Sequence, residues 1–362
     1  MTEILFQNST LIAERYEITS FVAEGGMQQV YKALDTRLNR EVALKTPIND
    51  SGQKRFKSSA KMSARVTHPN TAKTFDFFEF EKRQFLVEEF IEGMNLKERY
   101  TRDFNYLDPH FACYLIQRIA RGVAASHHAG VFHRDLKPSN IMVSNEPTPQ
   151  VLKITDFGIA KMAEKVIADV INTTDDEEKT LAIETSKTVK GTVPYMAPEL
   201  LQNSNPGLPA DIWAVGAIGY ELLTGLKPYG DGLKAIAKVM LQKPPTKPLL
   251  RNNNLQFSTL NDELWKVLEQ CFNFNPDQRI KADSLVIELG KLCYSSASRI
   301  EGLISNYGPN RGDHGFIREG DKDVFFHRES FYGDKPIVGQ RVAFSTSPGQ
   351  PNPRAFPILP LK

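Results

Sequence analysis

Two carboxylates and an amide stand where they could handle a phosphate. Asp135 and Asn140 lie five places apart in the run His133-Arg134-Asp135-Leu136-Lys137-Pro138-Ser139-Asn140. Asp156 follows in Asp156-Phe157-Gly158, and a third run, Ala197-Pro198-Glu199, comes later. Asn140 and Asp156 offer hard oxygens, which suit Mg²⁺, a cation that keeps several waters and phosphate oxygens in its shell. A carboxylate such as Asp135 can accept or orient the proton of an attacking hydroxyl. Transfer of a phosphoryl group asks little covalent work of a protein. It needs donor, cations and acceptor hydroxyl held in line, with charge neutralised as the bond breaks. The bland alternative is a loop of polar groups that merely support one another, and three such runs in this order argue against it.

Such a set needs a rigid frame. From Tyr16 the chain alternates like a small antiparallel sheet, with strands expected at 16–21, 30–33 and 42–45 and a glycine turn after the first. A helix is expected at 53–66, then strands at 71–80 and 83–90. Residues 1–13 read as an extra strand or a tail. Asp108-Pro109 is a good helix opening, a capping side chain followed by proline in the first helical turn. Leu115, Ile119 and Val123 repeat every four residues, and Gly130 can end that helix just before the first polar run. Asp211 to Gly216 opens a long apolar helix.

Composition fits a soluble enzyme. With 362 residues the chain can form two or three cores. A net charge of +2 is too small to argue for nucleic acid or a membrane surface. Cys113, Cys271 and Cys293 are widely spaced, without metal spacing or pairing, and read as reduced thiols in a cytoplasmic protein. No apolar run is long enough to span a bilayer.

Taken together, the three runs resemble the catalytic loop, the metal-binding loop and the end of the activation segment of the Ser/Thr protein kinase family, in its bacterial branch. The resemblance implies an α+β, two-lobed fold over residues 14–293, with a β-rich lobe at about 14–91 and a helical lobe at about 92–293. It implies ATP and Mg²⁺ as cofactors and protein Ser or Thr hydroxyls as acceptors. Asp135 and Lys137 would be catalytic, the lysine reaching the transferring phosphate, and Asn140 and Asp156 would hold the metal. Gly25, Gly26, Val30, Ala43, Lys45, Glu88 and Glu89 would line the nucleotide site. Asp211 resembles the residue that braces the catalytic loop, and Arg279 the partner of Glu199. Thr185, Ser186 and Thr188 resemble activation-segment phosphosites, whose phosphate would pair with Arg134. The acidic run Asp175-Asp176-Glu177-Glu178 reads more simply as a solvated loop face than as a docking site.

The pattern breaks in two places. The phosphate-covering loop reads Ala23-Glu24-Gly25-Gly26-Met27-Gln28-Gln29-Val30, keeping only the middle of three expected glycines in register. Glycines there let the backbone approach phosphate oxygens. The strand lysine, Lys45, normally pairs with a helix glutamate, and that position falls on Ser59. Glu88, on the apolar gatekeeper position at the back of the pocket, is a replacement carboxylate. Buried alone it would be costly, and paired with Lys45 it would repair both defects. The opposing expectation is a non-catalytic scaffold.

After a short linker at 294–298 the pattern changes to alternating β, and residues 299–362 resemble a cold-shock domain, a five-stranded OB-type barrel. Tyr307, His314, Phe316, Phe325 and His327 fall at its base-stacking positions, while Phe326 and Ile317 alternate to the core. Such barrels bind single-stranded RNA or DNA. Nine Lys/Arg against seven Asp/Glu in this segment make its field barely positive. A protein-binding barrel, and an RNA-binding protein regulated by its kinase domain, stay open as readings. Oligomeric state is not legible.

Overall fold

A computed structural model describes residues 4–25, 28–49, 53–157, 191–201, 207–249, 255–308 and 313–362. The first lobe is a six-stranded sheet of β1 (Leu11–Ile12), β2 (Tyr16–Glu24), β3 (Gln28–Asp35), β4 (Arg40–Pro47), β5 (Thr74–Phe80) and β6 (Arg83–Glu89), in the order β1-β2-β3-β4-β6-β5. Period-two burial puts Tyr31, Ala33, Val42, Leu44, Phe85 and Val87 into one core. Residues 4–15 belong to this lobe. Ile12 is in its core, Phe6 packs against it, and the Phe6 amide donates to the Tyr31 hydroxyl. Helix α1 (Gln53–Ser63) is shorter than expected, because Arg65 and Val66 turn back onto Met62 and Ser63.

In the second lobe, β7 (Met94–Asn95) leads into α2 (Leu96–Asp103). Helix α3 (Pro109–His128) begins where its cap predicts, Asp108 accepting hydrogen bonds from the amides of His110 and Phe111. Leu115, Ile119 and Val123 are buried, and Gly130 ends the turn beyond α3 at φ +67°. Strands β8 (Ile141–Val143) and β9 (Leu152–Ile154) carry the chain past the two polar runs. Then follow α4 (Pro198–Leu201), α5 (Pro209–Thr224), α6 (Gly232–Met240), α7 (Leu255–Leu268) and α8 (Ala282–Lys291). Helix α5 is buried almost all round, as its continuous apolar sequence requires.

The tail is a closed five-stranded barrel of β10 (Ile300–Gly308), β11 (His314–Glu319), β12 (Lys322–His327), β13 (Arg341–Ser347) and β14 (Arg354–Pro360), in the order β10-β11-β12-β14-β13. Closure removes the exposed edges. Its core includes Ile304, Ile317, Phe326 and Phe344. The barrel is not tethered loosely. Tyr332 and Leu359 belong to the core of the helical lobe, and Tyr332 and Phe356 pack on Phe257 with ring centroids 4.9 and 5.6 Å away. Arg299 pairs with Asp108 at 2.7 Å, both almost fully buried. The expected linker is itself anchored: the Ser295 amide donates to His110 Nδ1, and Ser345 donates to the Ala297 carbonyl.

Candidate active site

The lysine of β4 has its carboxylate. Lys45 Nζ lies 2.6 Å from Glu88 Oε2 and 2.8 Å from Asp156 Oδ1. The sheet register explains the first contact. Lys45 sits opposite Leu86 and Ala43 opposite Glu88, so lysine and glutamate are diagonal neighbours on one face of adjacent strands. Lys45 is 5% and Glu88 2% exposed. Burial alone would push Lys45 down, but the carboxylates of Asp156 and Glu88 outweigh it and hold its pKa well above the ordinary lysine value. Burial would raise Asp156, and the neighbouring Lys45 ammonium, helped by the Gln28 amide, holds it below its ordinary value. Ser59 faces the run that holds Asp156 instead, its hydroxyl donating to the Phe157 carbonyl.

A second group gathers on Asp135. Lys137 Nζ lies 2.7 and 2.9 Å from its two oxygens and 2.9 Å from the Thr192 hydroxyl, which also reaches Asp135 Oδ1 at 3.0 Å. Asn140 donates through Nδ2 to the Asp135 carbonyl at 2.8 Å, so its amide oxygen is the atom suited to a cation. Pairing of Ile141 with Ile154 sets the two groups side by side, and Thr155 joins them, its amide donating to the Asn140 carbonyl and its hydroxyl to Asp156 Oδ2. Arg134 and Asp156 sit at φ +66° and +63°, a region non-glycine residues enter only when held. The holding group for the first is Asp211, which accepts the amides of His133 and Arg134 at 2.8 and 2.9 Å. Arg279 grips Glu199 through two bonds of 2.7 and 3.0 Å.

The remaining expectations divide. Val30 pairs with Lys45 across β3 and β4, and Ala43 is buried beside it, on the strands that roof the cleft. The Gly25 amide closes the turn onto the Gln28 carbonyl. The Glu89 carboxylate pairs with Lys153 at 2.7 Å. Gly26, Gly158 and the three phosphosite candidates Thr185, Ser186 and Thr188 lie outside the described residues. Thr192 and Gln28 were not expected in the site. Only the folded chain brings the first to Asp135 and the second to Asp156.

On the barrel, His314 pairs with His327 and Phe316 with Phe325 across β11 and β12, so four of the five expected aromatics share one face. The rings of Phe316 and Phe325 meet edge-on at 5.8 Å, and those of His314 and Phe325 lie 5.5 Å apart. Tyr307 does not join them. It pairs with the inward-facing Gly315 and stacks on the core residue Phe326, because β10 bulges between Ile304 and Asn306 and shifts the alternation by one place.

The chain matches the family described as protein kinase domain over residues 16–288. It belongs to that family. It is 34% identical over 298 residues to a probable serine/threonine-protein kinase PknB of Corynebacterium glutamicum, a match covering 80% of this chain and 44% of the relative. It is 33% identical over 245 residues to the serine/threonine-protein kinase PknA of Mycobacterium tuberculosis, covering 65% of this chain and 52% of the relative. The chain thus spans about half, or less, of these relatives' lengths. Among solved structures, a single-site mutant of the Mycobacterium tuberculosis PknI kinase domain shares the fold, with a TM-score of 0.56 at 18% identity, over 80% of this chain and 99% of that one. No described helix is long and apolar enough to cross a membrane.

Proposed function

We propose that the chain is a Ser/Thr protein kinase that moves the γ-phosphate of ATP to protein hydroxyls, working in the cytoplasm. Asp135 accepts or orients the proton of the acceptor hydroxyl. Lys137, tied to both Asp135 and Thr192, neutralises charge on the transferring group. Lys45 meets the inner phosphates of the nucleotide. Asp156 and the amide oxygen of Asn140 fit Mg²⁺, being hard oxygen donors on adjoining strands' ends. Among the described residues no group of three or more His, Cys, Asp or Glu is placed to hold a metal alone, as suits a cation that takes its other ligands from phosphates and water. When bound, Mg²⁺ would supply charge neutralisation at the phosphates.

The observation that carries this reading is the Lys45–Glu88 pair. The alternative, a non-catalytic scaffold, leans on Ser59 leaving the lysine unheld, and Glu88 removes that argument. The test is transfer of radiolabel from Mg-ATP to the chain itself or to a basic protein. Wild type labels and Asp135→Ala does not; equal labelling of the two defeats the assignment. If Thr185, Ser186 and Thr188 carry regulatory phosphate, replacing all three by Ala slows turnover of an external substrate, and an unchanged rate refutes that role.

A second activity is supported by the shared face of His314, Phe316, Phe325 and His327, which offers bases a stacking platform in a barrel of OB or cold-shock type. Single-stranded RNA or DNA is the proposed partner, bound without strong sequence preference and more weakly at high salt. Because Tyr332 and Leu359 sit in the helical lobe's core, the intact chain is the proper material. Each stacked base contributes roughly 1–3 kcal/mol, so Phe316→Ala or Phe325→Ala lowers affinity for a labelled oligonucleotide several-fold. Absence of binding at low salt would favour a protein-binding barrel.

A further inference from the structure

Gln28 stands where the expected loop pattern has its third glycine, and it crosses the cleft. It opens β3, two residues before Val30 and so on the same face of that strand. Its side chain is 8% exposed and its Nε2 donates to Asp156 Oδ1 at 2.9 Å. The same carboxylate oxygen receives Lys45 Nζ at 2.8 Å. The amide oxygen of Gln28 is buried without a hydrogen-bond partner. A residue of the loop that roofs the nucleotide site is therefore bonded to a metal ligand on its floor. The expected glycine could not do this, since it has no side chain.

We propose that Gln28 is a latch across the nucleotide site, tying the roof loop to Asp156 and giving way when a metal–nucleotide complex enters. This rests on the reading of the cleft as an Mg-ATP site. The logic is competition for one oxygen and one space. Asp156 Oδ1 already accepts an ammonium and an amide N–H, and a cation approaching the carboxylate meets that N–H first. Phosphates threaded between roof and floor must also displace the amide. Adenine, bound further back near Val30 and Ala43, meets neither obstacle. The latched amide keeps its oxygen unpaired in a buried place, an arrangement that disfavours the closed form and keeps it easy to open.

The test uses the full chain and calorimetric titration with adenosine and with a non-hydrolysable Mg-ATP analogue. A net hydrogen bond to a charged group is strong enough that its removal changes competition by roughly ten- to a hundredfold. Gln28→Ala is expected to tighten the Mg-ATP analogue by that factor and leave adenosine unchanged. Gln28→Met, which keeps the stem but loses the amide, is expected to tighten it as well. Unchanged or weaker binding of the analogue in both variants overturns the latch, and weaker binding would make Gln28 a ligand instead. Tightening in Ala without Met also overturns it, reducing the effect to bulk. If wild type binds neither adenosine nor the analogue, the nucleotide-site reading itself fails, a result distinct from failure of the latch.

Discussion

Lys45 and Glu88 are buried and Asp156 is partly exposed, one cation meeting two carboxylates, and removing one member does not act like removing another. Lys45→Met leaves Glu88 desolvated without a partner, so the expected cost is about 3–5 kcal/mol in denaturant unfolding, and adding Glu88→Leu recovers much of it. A double mutant no more stable than the single would mean the pair does not matter to the fold. Glu88→Gln keeps the packing and loosens the lysine. Misplacement on this scale lowers phosphoryl-transfer rate by up to about 10²-fold, and Ser59→Glu in that background is expected to restore part of it. The Lys45–Glu88 pair was legible from sequence because the family resemblance puts Glu88 on the gatekeeper position beside the strand lysine, whereas the contact of Lys45 with Asp156 was not expected. What Ser59 does in place of a glutamate was not legible. Its bond to the Phe157 carbonyl depends on where the metal loop passes α1, which no local pattern encodes.

At the scale of elements, α3 links the active site to the barrel. Its C-terminal end feeds the catalytic loop, and its cap, Asp108, is held by Arg299 from the residue before β10. Burial would raise the Asp108 carboxyl, but the Arg299 guanidinium outweighs it and holds the pKa below the ordinary value. A depressed carboxyl contributes stability that is complete above its unfolded pKa, about 3.9, and lost as pH falls through the lower folded value. Arg299→Ala is therefore expected to cost about 3–5 kcal/mol, as when a buried charge loses its partner. Without Arg299, burial alone raises the Asp108 carboxyl, so the difference from wild type should be full only above that raised value and shrink steadily as pH falls from it to the depressed wild-type value. A difference that stays unchanged down to about pH 4 would assign the effect to another group. The start of α3 was readable in Asp108-Pro109, and the barrel strands in their alternation. The partner of the cap was not, because Asp108 and Arg299 are remote in sequence and nothing local marks them as a pair.

For the whole molecule, the helical lobe and barrel share apolar surface through Phe257, Tyr332, Phe356 and Leu359. They should unfold in one transition, and a chain ending at residue 298 should expose Phe257 and His110 and lose several degrees in thermal midpoint. An unchanged midpoint for the shortened chain would show that the contact carries no stability. The two-lobed fold was legible through the family resemblance, and the barrel's strand content through its alternating pattern. The docking was not, since aromatic residues such as Tyr332 and Phe356 read equally well as barrel core until the partner surface on α7 is known.

The central claim is that a protein kinase with serine in place of its helix glutamate still transfers phosphate, because a strand glutamate holds Lys45. The most direct measurement is the rate of label transfer from Mg-ATP to a protein acceptor by wild type, Glu88→Gln and Asp156→Ala side by side. The expected order is wild type active, Glu88→Gln slowed by about ten- to a hundredfold, and Asp156→Ala at background. Full activity in Glu88→Gln, or equal labelling by wild type and Asp156→Ala, would contradict it.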